Sequence, residues 1–269
     1  MTDALEKDKT ILKVTNITKT FDGVRALDGV GFGVTRGHIK ALIGPNGAGK
    51  TTLLNIINGL LVPDKGSVSF EGRELVGLTT DRIAMLGLSR TFQLIRLFTV
   101  NEATVLDNVM LGAHKHIRPT ISEAILFRSR ARKVEKAMRE KAMDLLQFVG
   151  MAHAAKMTPL SLSFGNQRMV ELARSLMADP LLLLLDEPAS GLNDTEVEHF
   201  MELLSAIRKR GVTILLVEHN MKLVMNVSDD IVVIDFGKYL AQGDPQAICS
   251  NQQVIEAYLG TECGIGGHP

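Results

Sequence analysis

Nine residues, Gly44-Pro45-Asn46-Gly47-Ala48-Gly49-Lys50-Thr51-Thr52, place three glycines, a lysine and two threonine hydroxyls between two apolar runs, Ala41-Leu42-Ile43 and Leu53-Leu54-Asn55-Ile56-Ile57. Glycines at this density let a backbone bend until several N–H groups converge on one anion. The spacing Gly44-x-x-x-x-Gly49-Lys50-Thr51, between a strand-like and a helix-like run, is that of a phosphate loop. In such a loop Lys50 puts a point charge on the β- and γ-phosphates and the Thr51 hydroxyl can ligate Mg²⁺. A helix starting near Lys50 adds its N-terminal dipole. A glycine-rich turn that merely caps a helix needs neither the lysine nor the threonine at those offsets. The stretch from Gly44 to Thr52 therefore reads as a cradle for a nucleoside triphosphate.

A second stretch, Leu181-Leu182-Leu183-Leu184-Leu185-Asp186-Glu187-Pro188, is an apolar strand candidate that ends in paired carboxylates. An aspartate at the carboxyl edge of a buried strand is placed to hold the metal of a bound nucleotide, the Walker-B role. Glu187 beside it would be the general base that polarises the attacking water. Acids are common where a strand meets a polar loop. Five uninterrupted leucines ending in Asp-Glu-Pro downstream of a phosphate loop favour the catalytic reading.

The elements that must position these groups follow from periodicity. Ile11 to Thr15, Ile39 to Ile43 and Gly66 to Phe70 read as strands, the last after the turn at Pro63-Asp64-Lys65-Gly66. From about residue 101 to 178 the pattern is helical, as in Ile121 to Val149. Strands return at Leu181 to Leu185, Val212 to Val217 and Ile231 to Ile234, the latter two apolar almost throughout, as strands covered on both faces should be. Thr195 to Lys209 reads as the helix of a βαβ crossover. The simplest architecture is an α/β core interrupted by a helical insertion.

At 269 residues the chain is longer than one typical domain. Its 45% apolar and 22% charged residues are ordinary for a globular protein, and a formal net charge of zero offers no field to recruit nucleic acid or anionic lipid. The N-terminal MTDALEKDKT lacks the apolar core of a secretion signal. A membrane span needs about 20 apolar residues, so any membrane role is expected to run through a partner. Cys249 and Cys263 have no metal-like spacing, which fits a reducing compartment.

With Leu162-Ser163-Phe164-Gly165-Asn166-Gln167-Arg168 ahead of the Walker-B strand, the chain resembles the ATP-binding subunits of ABC transporters, from about Leu12 to Gly260. The resemblance implies an α/β fold with a phosphate-loop NTPase core of ABC type, an antiparallel β subdomain and an inserted helical subdomain. The boundaries expected are 1–93 for the first part of the nucleotide-binding core, 94–178 for the helical subdomain with the signature, and 179–269 for the second part with a C-terminal extension. It also implies roles. Phe21 would stack on adenine. Gln93, in Arg90-Thr91-Phe92-Gln93, would touch Mg²⁺ and the lytic water. His219 would contact the γ-phosphate, and Ser190-Gly191-Leu192-Asn193 would form the D-loop. Ser163 and Gly165 would make a second anion cradle that completes the ATP site of a neighbouring subunit, so each site is shared by two chains. Phe164 replaces the first signature glycine, Asn166 the usual glutamine and Asn193 a common aspartate. None removes a phosphate ligand or the base, and Phe164 could tune how closely two subunits approach.

Within the family, residues 90–98, the insert near 112–157, Glu218-His219-Asn220-Met221-Lys222-Leu223-Val224-Met225 and QVIEAYLG at 253–260 resemble the larger ATPase of branched-chain amino acid importers. That resemblance implies ATP and Mg²⁺ as cofactors and a peripheral place on the cytoplasmic face of the inner (plasma) membrane. Its partners would be two membrane permeases, a second ATP-binding subunit (as a heterodimer, or a homodimer of this chain), and, indirectly, an extracytoplasmic solute-binding protein. Nucleic acid is not among them. Relatives serving urea, amides or aromatic acids are the alternative, with a soluble non-transport ABC ATPase or a phosphate-loop kinase as rivals from other classes. The signature and His219 argue against a kinase. Residues 99–105 depart from the shorter turn expected there. Arg128 to Lys141 carries seven basic and two acidic residues, a solvated face by default, with lipid headgroups or a permease loop as the sharper reading. Leu94, Ile95, Leu97 and Phe98 are either core or an exposed coupling cluster.

Overall fold

The computed structural model describes residues 9–91, 97–116 and 128–259. Strands β1 (Thr10–Phe21), β2 (Val24–Thr35), β4 (Lys65–Phe70) and β5 (Arg73–Glu74) form an antiparallel sheet in the order β2-β1-β4-β5. Strands β3 (Ile39–Ile43), β6 (Leu88–Arg90), β7 (Leu182–Asp186), β8 (Thr213–Val217), β9 (Asp230–Asp235) and β10 (Lys238–Gly243) form a second sheet in the order β10-β9-β3-β8-β7-β6. It is parallel except at the antiparallel β9–β10 edge.

Helices surround it. The phosphate loop leads into α1 (Lys50–Ile57), and α2 is Thr80–Met85. The insertion contributes α3 (Val105–Met110), α4 (Arg128–Phe148) and α5 (Phe164–Leu176), with no strand among its described residues. Then come α6 (Asp194–Lys209), α7 (Met221–Val227) and α8 (Pro245–Cys249). No helix among the described residues is long and apolar enough to cross a membrane.

The leucine strand shows why period 2 matters even in an all-apolar run. Leu183 and Leu185 of β7 enter the core shared with the inserted helices and α6, while Leu182 and Leu184 enter the core between the two sheets. On β8, Ile214 and Leu216 divide from Leu215 and Val217 in the same way.

Several strands were not legible. β2 buries Leu27, Val30, Phe32 and Val34, but Asp28 and three glycines between them hide the alternation. Gly31 has a packing reason, since a Cβ there would lie 3.3 Å from the Val14 carbonyl of β1. β1 runs six residues past Thr15 because a bulge, with Asn16 at φ 52°, absorbs the polar stretch. The segment at 99–105 is a 3₁₀ turn at Val100–Glu102 followed by Thr104, whose hydroxyl and Asp107 form a capping box for α3. Buried Asn108 clamps the chain there, accepting from the Phe98 N–H at 2.7 Å and donating to the Phe98 carbonyl at 3.0 Å. Leu97 packs against the core and Phe98 is exposed, so that cluster divides; Leu94 and Ile95 lie outside the described residues.

Candidate active site

In an open parallel sheet, ligands collect beyond the carboxyl ends of the strands. Three adjacent strands deliver the chemistry here: β3 ends at the phosphate loop, β7 ends at Asp186, and β8 leads through Glu218 to His219.

The loop from Gly44 to Gly49 needs its glycines for two separate reasons. Gly47 and Gly49 hold φ of 82° and 98°, in the left-handed region. A Cβ on Gly49 would also lie 2.6 Å from the Ala26 carbonyl, and one on Gly44 would collide with the Ile234 carbonyl. The helix that follows starts at Lys50 with no side chain capping its first N–H groups, and none of its first-turn residues is acidic. Both features suit an anion as the cap. The Lys50 ammonium donates to the Gly44 and Pro45 carbonyls at 2.6 and 2.9 Å. Burial holds its pKa below the ordinary lysine value, while the carboxylates of Glu187 and then Asp186 pull it back up. Thr51 is exposed and Thr52 half-buried beside it.

Asp186 is buried at the end of β7 and accepts from Arg90 Nη2 at 2.8 Å; Arg90 Nη1 donates to Asn55 Oδ1 of α1, also at 2.8 Å. Arg90 is therefore a buried tie between the phosphate-loop helix and the acidic strand end. The sequence alone assigns it no role. No sequence signal marks it, because its partner Asp186 lies 96 residues along the chain. Glu187 follows with φ 48°, a left-handed conformation uncommon for a residue with a long side chain. Its Oε2 stands 4.0 Å from His219 Nδ1.

The phosphate loop, Asp186, Glu187 and His219 thus meet, and the signature makes its contacts elsewhere. Ser163 is exposed and caps α5, accepting from the Asn166 N–H at 3.3 Å. No hydrogen bond or ion pair among the described residues joins Ser163 or Gly165 to the phosphate loop. The signature instead packs on the D-loop of its own chain. Phe164 lies against Gly191, stacks with the Arg168 guanidinium 5.4 Å from its centroid, and keeps 47% of its surface exposed. Asn193 caps α6 in a capping box with Glu196, a task asparagine performs as well as aspartate. Phe21 sits at the β1–β2 hairpin, 41% exposed and not a core side chain, with Lys19 Nζ 5.5 Å from its ring centroid. Gln93 lies outside the described residues.

Comparison with known proteins meets this geometry. A model of the ABC transporter family matches residues 27–190, more than half of the chain. The chain belongs to the ABC transporter family. It is an ATP-binding subunit of that family, with the fold of an ABC ATPase and nucleotide binding and hydrolysis as its activity. A second model, the branched-chain amino acid ATP-binding cassette transporter, matches residues 240–263. The BraF high-affinity branched-chain amino acid transport ATP-binding protein of Pseudomonas aeruginosa is 40% identical over 93% of this ABC subunit and 98% of its own length. LivG of Escherichia coli K12, of the same description, is 38% identical over the same shares. The crystal structure of the ADP conformation of MJ1267, an ATP-binding cassette of an ABC transporter, superposes with a TM-score of 0.79 at 30% identity, covering 93% of this chain and 99% of that one. A dimeric bacterial ABC transporter cassette, MJ0796, gives 0.74 at 26% identity over 87% and 98%.

No cluster of three or more acidic, histidine or cysteine side chains among the described residues could hold a metal alone. Mg²⁺ is usually bound by one or two carboxylates together with substrate phosphates. An exposed Thr51 hydroxyl and the Asp186 carboxylate are the donors of this chain that fit it.

Proposed function

We propose that this ABC subunit binds ATP with Mg²⁺ and couples its hydrolysis to the import of branched-chain amino acids through partner permeases. The observation that carries the hydrolytic part is the convergence of Lys50, Asp186, Glu187 and His219 at the carboxyl ends of three neighbouring strands. Gly44 to Thr52 hold the triphosphate through backbone N–H groups and the Lys50 ammonium, and Phe21 stacks on adenine. Thr51, Asp186 and Gln93 would hold Mg²⁺, which supplies charge neutralisation at the β- and γ-oxygens. Glu187 accepts the proton of the attacking water, and His219, reaching the same spot, orients the γ-phosphate.

Ser163 and Gly165 serve the neighbour. No hydrogen bond or ion pair among the described residues joins them to their own phosphate loop, and the N-terminus of α5 suits an anion. A second ATP-binding subunit would therefore bring its triphosphate to them, and hydrolysis would release the bridge. The partners are two membrane permeases, that second subunit and, through the permeases, an extracytoplasmic binding protein; the chain sits peripherally on the cytoplasmic face of the membrane. The similarity to BraF and LivG supports branched-chain amino acids as the solute.

The test is uptake by vesicles holding the permeases, the second subunit and this chain, with the binding protein added. ATP-dependent accumulation of leucine, isoleucine and valine is expected. Accumulation of urea, amides or aromatic acids in their place would reassign the solute, and hydrolysis without any uptake would overturn the transport role.

A further inference from the structure

Glu218 is fully buried between the two loops that carry Glu187 and His219. Its Oε1 accepts the Ala189 N–H at 2.7 Å, and its Oε2 accepts those of His219 at 2.9 Å and Asn220 at 3.2 Å. Glu187 needs holding, because a left-handed backbone at a long side chain persists only where its surroundings impose it. On one side the Glu187 N–H donates to the Val217 carbonyl at 2.8 Å. On the other, Pro188 has no N–H to give, so the next tie is the bond from Ala189 to Glu218. Both ties end on consecutive residues of the β8 terminus. The same carboxylate fixes the start of the loop on which His219 stands.

We propose that Glu218 is a positioning residue for ATP hydrolysis, locking the backbone of Glu187 and that of His219 into one rigid unit. This rests on the reading of Glu187 as the general base. Glu218 acts from a fully buried place by keeping the Glu187 carboxylate and the His219 ring at their mutual distance. Its three hydrogen bonds are all acceptances, so a carboxylate is required, and its Oε2 also stands 3.9 Å from His219 Nδ1. The amide of glutamine has one acceptor and one donor end, and whichever way it turns, a donor faces a buried N–H.

The test compares wild type, Glu218→Gln and Glu187→Gln in the assembled transporter, reading kcat, KM and ATP affinity separately. For Glu218→Gln the kcat should fall about tenfold or more while KM and ATP affinity stay within about twofold, since misplacing a catalytic group costs rate rather than binding. Should Glu218→Gln not fold, Glu218→Asp, which keeps both acceptors on a shorter stem, takes its place with the same expected split. An unchanged kcat, or a kcat loss matched by an equal loss of ATP affinity, overturns the proposal. If Glu187→Gln is inactive while Glu218→Gln keeps the wild-type kcat, only the role of Glu218 fails. If Glu187→Gln turns over like wild type, the reading of Glu187 fails and the proposal with it.

Discussion

Arg90 and Asp186 form an ion pair with Nη2 to Oδ2 at 2.8 Å, their side chains only 3% and 4% exposed. Buried pairs of this kind gain little over an apolar substitute, but breaking one strands the other charge. Arg90→Met should therefore lower the unfolding free energy by about 3–5 kcal/mol in denaturant titrations. Arg90→Lys should recover only part, because one ammonium cannot reproduce the fork that reaches both Asp186 and Asn55. Wild-type stability in Arg90→Met would show that Asp186 does not depend on the pair.

Lys50 gives a pH signature. Its pKa is depressed by burial in the free chain, and phosphate oxygens favour the charged form, so ATP binding raises it. Between the two values binding takes up a proton, and affinity falls as pH rises through the free chain's depressed value. Calorimetry in buffers of different ionisation enthalpy should show this uptake on the alkaline side. Lys50→Ala should lose both the affinity and the proton uptake. Proton-independent binding across that range would contradict the placement of Lys50 on phosphate.

Gly165 lies against Glu196, whose carboxylate would have to swing aside for a Cβ there. Glu196 can give way only by leaving its bond to the Asn193 N–H, so Gly165→Ala should destabilise the chain by about 1 kcal/mol, the scale of a lost cap, with no neighbour present. Thermal unfolding of the single variant checks this; an unchanged midpoint would show that Glu196 simply swings away.

The fold and site were legible where one residue type does one job. The phosphate loop, the leucine strand and the crossover helix announce themselves through spacing and period, and the structure sets the phosphate loop and the acidic end of the leucine strand at the carboxyl ends of β3 and β7, with α6 crossing from β7 to β8. Legibility failed where a tertiary contact supplied the reason. β2 alternates correctly, but its glycines, needed for close approach to β1, read as breakers. β6 and β10 are short or polar edge strands whose pairing comes from neighbours distant in sequence. Arg90 and Glu218 were invisible for a similar reason: each is a charge inside a motif whose partners, Asp186 and the Ala189 N–H, lie far along the chain.

Glu187→Gln should bind ATP with near wild-type affinity and lose about a hundredfold or more in turnover, the usual scale of a general base. Spared hydrolysis, the nucleotide should then hold two ATP-binding subunits together, visible by light scattering as an ATP-dependent doubling of mass. Wild-type turnover would remove Glu187 from the base role.

Everything in the account requires that the nucleotide held by one chain be closed over by the Ser163 end of α5 in its neighbour. Ser163→Asp isolates that claim, because aspartate caps a helix as well as serine does yet places a carboxylate against the incoming phosphates. With this change here and its counterpart in the second ATP-binding subunit, the thermal midpoint and the ATP affinity of the separate chain should hold. ATP hydrolysis by the assembled transporter should fall about tenfold or more; turnover at the wild-type rate would contradict the shared site outright.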